Sequence, residues 1–262
     1  MTLIPFFQVD AFASAPFDGN PAAVMPLTEW LPDAMLQVIA AENNLSETAF
    51  AVPAADNAEA DFDLRWFTPT VEVDLCGHAT LASAHILMSG QRIRFATRSG
   101  ILGVERRDGL LHLDLPAYAV EPGEEAGLIE ALGLPAATET FIGRGGNGAA
   151  IALLADEVAV RAVAPNFAAL RSIDRLVIVT APGRDTAIIS RVFAAYHGID
   201  EDPVTGSAHA ALVPFWAPRL GRDRFTALQA SKRSGHLECA FKGNRVILGG
   251  HCVTVIEGNF QL

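Results

Sequence analysis

Val73-Asp74-Leu75-Cys76-Gly77-His78-Ala79-Thr80-Leu81-Ala82-Ser83-Ala84-His85-Ile86-Leu87-Met88-Ser89-Gly90 opens on a polar, glycine-bearing turn and runs straight into small and apolar residues. The pattern predicts a helix closed by Gly90 in the left-handed conformation. From Ala79 to Met88 there is hardly any polar face, so the helix belongs inside a core. Its first turn nonetheless carries Cys76, Gly77, His78 and Thr80. The N–H groups of a helix start have no acceptor within the helix, and buried N–H groups need one. An anionic small molecule is the expected partner.

The rest of the chain sets the bounds. It has 262 residues, half of them hydrophobic and 19% charged, which is a globular composition with ample material for a core. No apolar run approaches the ~20 residues that span a bilayer, and the N-terminus lacks the basic and apolar regions of a signal peptide. Three cysteines, an odd number at wide spacing, do not form a disulfide framework, and a reducing cytoplasm fits best. A net charge of −11 argues against nucleic acid and anionic membrane as partners, because phosphate binding needs concentrated Lys and Arg.

Outward from the helix, residues 3–12 read as a strand, Asp18-Gly19-Asn20-Pro21 as a turn and Ala22–Met25 as another strand. Leu31, Met35, Val38, Ile39 and Glu42 fall at helical spacing, predicting an amphipathic helix over 31–43 with Pro32 in its first turn. Strands are expected at Glu47–Val52 and Asp63–Phe67, with a polar loop Ala54–Ala60 between them, and again from Arg92 to Leu115. The Glu-, Pro- and Gly-rich stretch Tyr118–Ala126 is the expected linker. It divides an N-terminal lobe, 1–120 completed by a strand at about 250–262, from a C-terminal lobe, 121–249. Beyond it, strands are expected near 139–143, 149–155, 176–180, 188–196, 236–241, 245–249 and 251–257, with a helix around 164–171. A second small/apolar helix starts after Asp202-Pro203-Val204-Thr205-Gly206-Ser207 and ends near Leu220 at Gly221, with a kink or tight turn at Pro214.

Two matches suggest duplication. Gly19-Asn20-Pro21-Ala22-Ala23-Val24 resembles Gly146-Asn147-Gly148-Ala149-Ala150-Ile151 at an offset of 127, and the turn at Gly77 resembles that at Gly206 at an offset of 129. Both offsets are close to half the chain. The reading is an α+β protein of two pseudo-symmetric lobes, each a barrel-like β-sheet around a central apolar α-helix. The helix starts would meet at a cleft, a common small-molecule site.

Glu47 is the first candidate for chemistry. It enters the apolar strand Thr48-Ala49-Phe50-Ala51-Val52, and a carboxylate in apolar company gains proton affinity and can serve as acid and base near neutral pH. A solvated strand-edge Glu is the ordinary alternative. His78 at the buried helix start needs a partner, which a loop carbonyl would equally supply. Asp202 and Ser207 mirror it at the second helix, where an Asp is also simple capping. Cys76 beside Gly77 is either a thiolate activated by the helix start or an inert core residue. Gly143-Arg144-Gly145-Gly146-Asn147-Gly148 fits the dinucleotide fingerprint G-x-G-x-x-G. A helix should follow it, however, and Ala149–Leu154 reads as a strand. There is no H-E-x-x-H, C-x-x-C or G-x-S-x-G, so no metal site and no serine-hydrolase elbow are expected.

In order, Gly19-Asn20-Pro21-Ala22, Leu45-Ser46-Glu47-Thr48, Arg65-Trp66-Phe67-Thr68-Pro69, Cys76-Gly77-His78-Ala79-Thr80 and Asp202-Pro203-Val204-Thr205-Gly206-Ser207 resemble the PhzF-like family, which has the diaminopimelate epimerase-like fold. The resemblance spans roughly 3–260. It implies a cofactor-free isomerase, commonly a homodimer, that moves a proton on a small carboxylate substrate. Carried onto this chain, the catalytic glutamate is Glu47, and the substrate-binding residues are His78, Asp202 and Ser207 with Gly77 and Gly206 beside them. Two-base epimerases of this fold use two cysteines. Here Cys76 lies near the first such position, as a candidate second acid/base, while the second lobe offers Asp202 and no cysteine. An epimerase or racemase of an amino or hydroxy acid stays as the alternative, and a non-catalytic small-ligand-binding protein as a third.

Overall fold

The computed structural model describes residues 2–55, 59–145 and 148–262. Parts of two expected features, the Ala54–Ala60 loop and the Gly143–Gly148 motif with its half of the first repeat match, therefore lie outside the described residues. The fold is α+β, and the chain forms two compact units, Met1–Asp114 with Gly249–Leu262, and Leu115–Leu248.

In the first unit, β1 (Leu3–Ala11) pairs antiparallel with β2 (Asn20–Pro26). A crossover through α1 (Asp33–Asn43) then brings β3 (Glu47–Pro53) in parallel to β2. The ladder continues antiparallel to β4 (Phe62–Phe67), which carries the short β5 (Glu72–Val73). After α2 (Gly77–Leu87), β6 (Arg92–Thr97) returns parallel to β4, followed by β7 (Gly100–Arg107) and β8 (Leu110–Pro116), antiparallel in turn. Successive strand residues face opposite sides. Met25, Phe50 and Phe67 meet Leu36 and Ile39 of α1 on one side. The small residues between them, Ala49 and Ala51, face the other, and α2 packs against β1, β2 and β3. Every α2 residue from Gly77 to Ala84 is buried.

The second unit opens with β9 (Val120–Pro122), α3 (Leu128–Leu132), β10 (Glu139–Gly143) and β11 (Ala149–Leu153). Here α4 (Glu157–Ala162) and α5 (Phe167–Leu170) cross over to β12 (Leu176–Pro182), parallel to β11. Then come β13 (Ile188–Ala194), the short β14 (Ile199–Asp202), α6 (Gly206–Leu220), β15 (Arg224–Gln229), β16 (Gly235–Lys242) and β17 (Arg245–Gly250). Val177 and Val179 face α3–α5, while Thr180 on the opposite face accepts the Trp216 indole N–H of α6 at 3.1 Å. The last strand, β18 (Cys252–Gln261), pairs with β1 in the first unit.

The pairing rules of the two units coincide. In each, the sequence runs antiparallel, parallel, antiparallel, a short antiparallel appendage, parallel, antiparallel: β1-β2-β3-β4(-β5)-β6-β7 against β10-β11-β12-β13(-β14)-β15-β16. Registers correspond as well. Ala22 opposite Glu47 in the first unit is Ala149 opposite Leu176 in the second.

Several expectations need correction. α2 stops at Leu87 with Met88 extended, so Gly90 is not its left-handed cap. In α1 the buried face is Leu36, Ile39 and Ala40; Met35 and Val38 point outward, and Pro32 precedes the helix as its cap. α6 runs unbroken past Pro214 and Pro218 to the left-handed Gly221, so Pro214 makes no tight turn. Residues 164–171 hold only the short α5, and α4 precedes it where no helix was expected. β13 ends at Ala194, followed by a 3-10 turn Ala195–His197. Strands β14 and β15 were not read, and Val120–Pro122 within the expected linker is paired with β10. Among the described residues, no helix is long and apolar enough to cross a membrane.

Candidate active site

Glu47, Cys76, Gly77 and His78 come together in the first unit. β3 begins at Glu47, and α2 begins at Gly77 with Cys76 as an extended cap residue. The His78 Nε2 lies 3.1 Å from Glu47 Oε2, with both side chains largely withdrawn from solvent. The ring N–H is out of line for a full hydrogen bond to that oxygen, so the contact is chiefly electrostatic. On its other edge, His78 Nδ1 is 3.2 Å from Asn20 Nδ2 and 3.5 Å from Cys76 Sγ. Asn20, wholly buried, takes the Ser46 hydroxyl on its Oδ1 at 3.0 Å; Ser46 also lies 3.1 Å from the Pro21 carbonyl. The Gly-Asn-Pro and Ser-Glu motifs thus meet at one histidine.

Burial, and secondarily the Glu47 carboxylate, pushes the Cys76 thiol up to about 11, so it is protonated at neutral pH. Burial also works against a charged His78 ring, while a Cys76 thiolate and the Glu47 carboxylate work for it, and the balance lies above the ordinary histidine value. The Cys76 share of that balance exists only above about pH 11, once the thiol has ionised. At neutral pH the ring answers to Glu47 and to burial.

Glu47, Cys76 and His78 are also the group among the described residues that could hold a metal ion, with ligand atoms within 4.8 Å of one another. His78 turns Nδ1 to Cys76 and Nε2 to Glu47, so no one ring nitrogen faces both other ligands. The arrangement suits proton transfer better than chelation.

Asp202, Gly206 and Ser207 come together in the second unit. Asp202 ends β14, and its Oδ2 accepts a short hydrogen bond from the Thr205 hydroxyl. Gln229, buried on β15, clamps this turn: its amide donates to the Asp202 carbonyl at 2.7 Å and to Thr205 Oγ1 at 3.1 Å, and its Oε1 accepts the Thr205 N–H at 2.9 Å. Ser207 is half-buried in the first turn of α6. Neither α2 nor α6 has a side-chain cap at its start, so their first N–H groups keep the partial positive charge that attracts anions.

The reading of the sequence missed Asn20, Ser46, Thr205 and Gln229. Asn20 and Ser46 lay inside quoted motifs but read as turn residues, and Gln229 sits on a strand that had no signal. The Arg65-Trp66-Phe67-Thr68-Pro69 motif is structural. Arg65 pairs bidentately with Glu72 and reaches Asp33, and Thr68 Oγ1 accepts the N–H groups of Thr70 and Val71.

Comparison with known proteins adds a family. Residues 9–258 match the PhzC-PhzF family, described as phenazine biosynthesis-like protein. An uncharacterized isomerase of Pseudomonas aeruginosa is 49% identical, covering 99% of both chains. A PhzF family protein from Enterococcus faecalis superposes with a TM-score of 0.91 at 42% identity over the whole of both chains. More distantly, a hydroxyproline epimerase from Agrobacterium vitis shares the fold, at 14% identity and a TM-score of 0.66, over 99% of this chain and 91% of its own.

Proposed function

This chain belongs to the phenazine biosynthesis-like (PhzC-PhzF) family, and on that premise we propose that it is an isomerase moving a proton on a small carboxylate substrate, with Glu47 as acid and base. The observation that carries the reading is the Glu47 carboxylate set against His78 at the uncapped start of buried α2. Oε2 is the oxygen turned to His78, which leaves Oε1 to take the proton from a carbon next to a conjugated system. The electron pair left behind spreads into that system, where helix-start N–H groups stabilise the developing charge. Glu47 then returns the proton to another carbon on the same face, so the bond lost at one carbon is regained at the other.

Asp202, Ser207, Gly77 and Gly206 are the substrate-binding residues of this reading. His78 has both ring nitrogens on protein groups, and its first role in this reading is to hold the Glu47 carboxylate in place. The reading carries over the further implications of the resemblance: action without a cofactor, as a homodimer, in the cytoplasm. A two-base epimerase is less well supported. The positions matching Glu47 and Cys76 in the second unit are Leu176 and Thr205, and the Asp202 carboxylate is engaged by Thr205.

The test is turnover of a panel of small cyclic and amino carboxylates in heavy water, followed by proton NMR. Glu47→Gln should lower the rate of any reacting compound at least ~100-fold, with much of the original hydrogen retained in the wild-type product. Wild-type turnover by Glu47→Gln would remove the base from this role. Complete solvent deuterium in an inverted product would favour two bases.

A further inference from the structure

Gly19-Asn20-Pro21 has no part in the chemistry above, yet it delivers a fully buried amide to the site. Asn20 contacts the one edge of His78 that Glu47 does not. We infer that Asn20 is a positioning residue that sets the tautomer of the neutral His78 ring, with the hydrogen on Nε2, the nitrogen that faces Glu47.

The argument is one of donors and acceptors. A neutral imidazole has one N–H and one bare nitrogen. A bare Nε2 facing a carboxylate oxygen at 3.1 Å would set two lone pairs against each other, so the hydrogen of a neutral ring belongs on Nε2. Nδ1 must then accept, and what faces it are donors. The Asn20 Nδ2 lies at 3.2 Å, its amide oriented by the Ser46 hydroxyl on Oδ1, and Cys76, a thiol up to about pH 11, lies at 3.5 Å. A second hydrogen on Nδ1 would oppose the Asn20 N–H and require the amide to turn over. That reversed amide would have to donate to Ser46, whose own hydrogen would shift to the Pro21 carbonyl at 3.1 Å. Among the described residues, Glu47 and Cys76 are the ionisable groups that face the ring. A ring held this way turns its hydrogen-bearing nitrogen to Glu47 Oε2 and leaves Oε1 for the substrate.

Nitrogen-15 histidine spectra read the tautomer directly, since a protonated and a bare ring nitrogen resonate far apart. His78→Gln identifies the signal. His209 is a built-in reference of the opposite kind, because its Nδ1 lies 2.8 Å from the Thr205 carbonyl, which can only accept. Once the ring has lost its second proton, on the alkaline side of its titration, the wild-type His78 should show a bare Nδ1 and a protonated Nε2. Asn20→Asp, isosteric but accepting, should place a hydrogen on Nδ1 and leave His209 unchanged. A neutral wild-type ring protonated on Nδ1 overturns the inference, as does an unaltered signal in a folded Asn20→Asp protein. If that variant fails to fold, the wild-type spectrum alone decides. The inference deepens the reading of Glu47 as base, but the spectrum needs no substrate. An inert Glu47 would leave the spectrum as expected, and a wrong tautomer would appear whatever the turnover.

Discussion

Gly19 sits at φ +65, and a β-carbon there would overlap the Ala11 carbonyl oxygen. An L-residue is strained in that conformation and has no room, so Gly19→Ala should cost on the order of 1–3 kcal/mol. Urea unfolding reads it as a lowered midpoint at unchanged slope; an unchanged midpoint would mean the turn relaxes freely. The same turn explains what was legible at this scale. Glu47 stood out because a carboxylate interrupts an apolar strand. Asn20 did not, because Asp-Gly-Asn-Pro is ordinary turn chemistry and burial of the amide depends on α2, which the local sequence does not contain. Gln229 was silent for a related reason: its three bonds all go to a turn more than twenty residues away.

At the scale of elements, α2 and α6 secure their starts alike. Thr80 Oγ1 donates to the Cys76 carbonyl, and His209, at the corresponding place, donates its Nδ1 hydrogen to the Thr205 carbonyl. The difference is that His209 titrates. Burial pulls it from 6.5 down to about 4, while the unfolded chain takes up its proton near 6.5. Between those values the unfolded state binds more protons. The stability from the neutral histidine is therefore complete above 6.5 and is lost as pH falls toward about 4, at up to ~1.4 kcal/mol per pH unit. His209→Thr borrows the solution used by α2 and removes the titration. The variant loses packing at every pH, but its deficit relative to wild type should shrink by about 2 kcal/mol between pH 7 and pH 5. Chemical denaturation at both values tests this, and an equal deficit would reject it. Both helices were legible as small, apolar runs, but their ends were not equally so. Gly221 is left-handed and stops α6, whereas α2 ends three residues before Gly90 through an extended Met88 that no local signal marks.

At the scale of the whole chain, the duplication was visible in two short matches, and the strand registers extend it through both units. The registers also show how the halves diverged: Glu47, Cys76 and His78 correspond to Leu176, Thr205 and Ser207, so this trio is found in the first unit and not repeated in the second. The matches alone do not give the pairing of β18, although a strand at about 250–262 is expected from the sequence to complete the N-terminal lobe. β18 runs antiparallel to β1 from Leu3 opposite Gln261 to Ala11 opposite Cys252. Because β2 pairs with Phe7–Ala11, residues Leu3–Phe6 depend on β18 for their ladder, and Phe260 packs on the cluster that holds Ile4 and the α1 face. α2 packs against β18 as well. Removing 252–262 therefore strips a flank from the first unit while leaving every pairing of β9 to β16 in place. Amide hydrogen exchange of the truncated chain should show protection lost in β1 and through Gly77–Leu87 and kept in β12, β13 and α6. Glu47 and His78 would then lose their fixed separation and turnover would disappear, although the deleted residues lie outside the catalytic group. If the α2 amides stay protected without the last strand, the first unit is held by its own ladder, and β18 is an addition rather than a part of it.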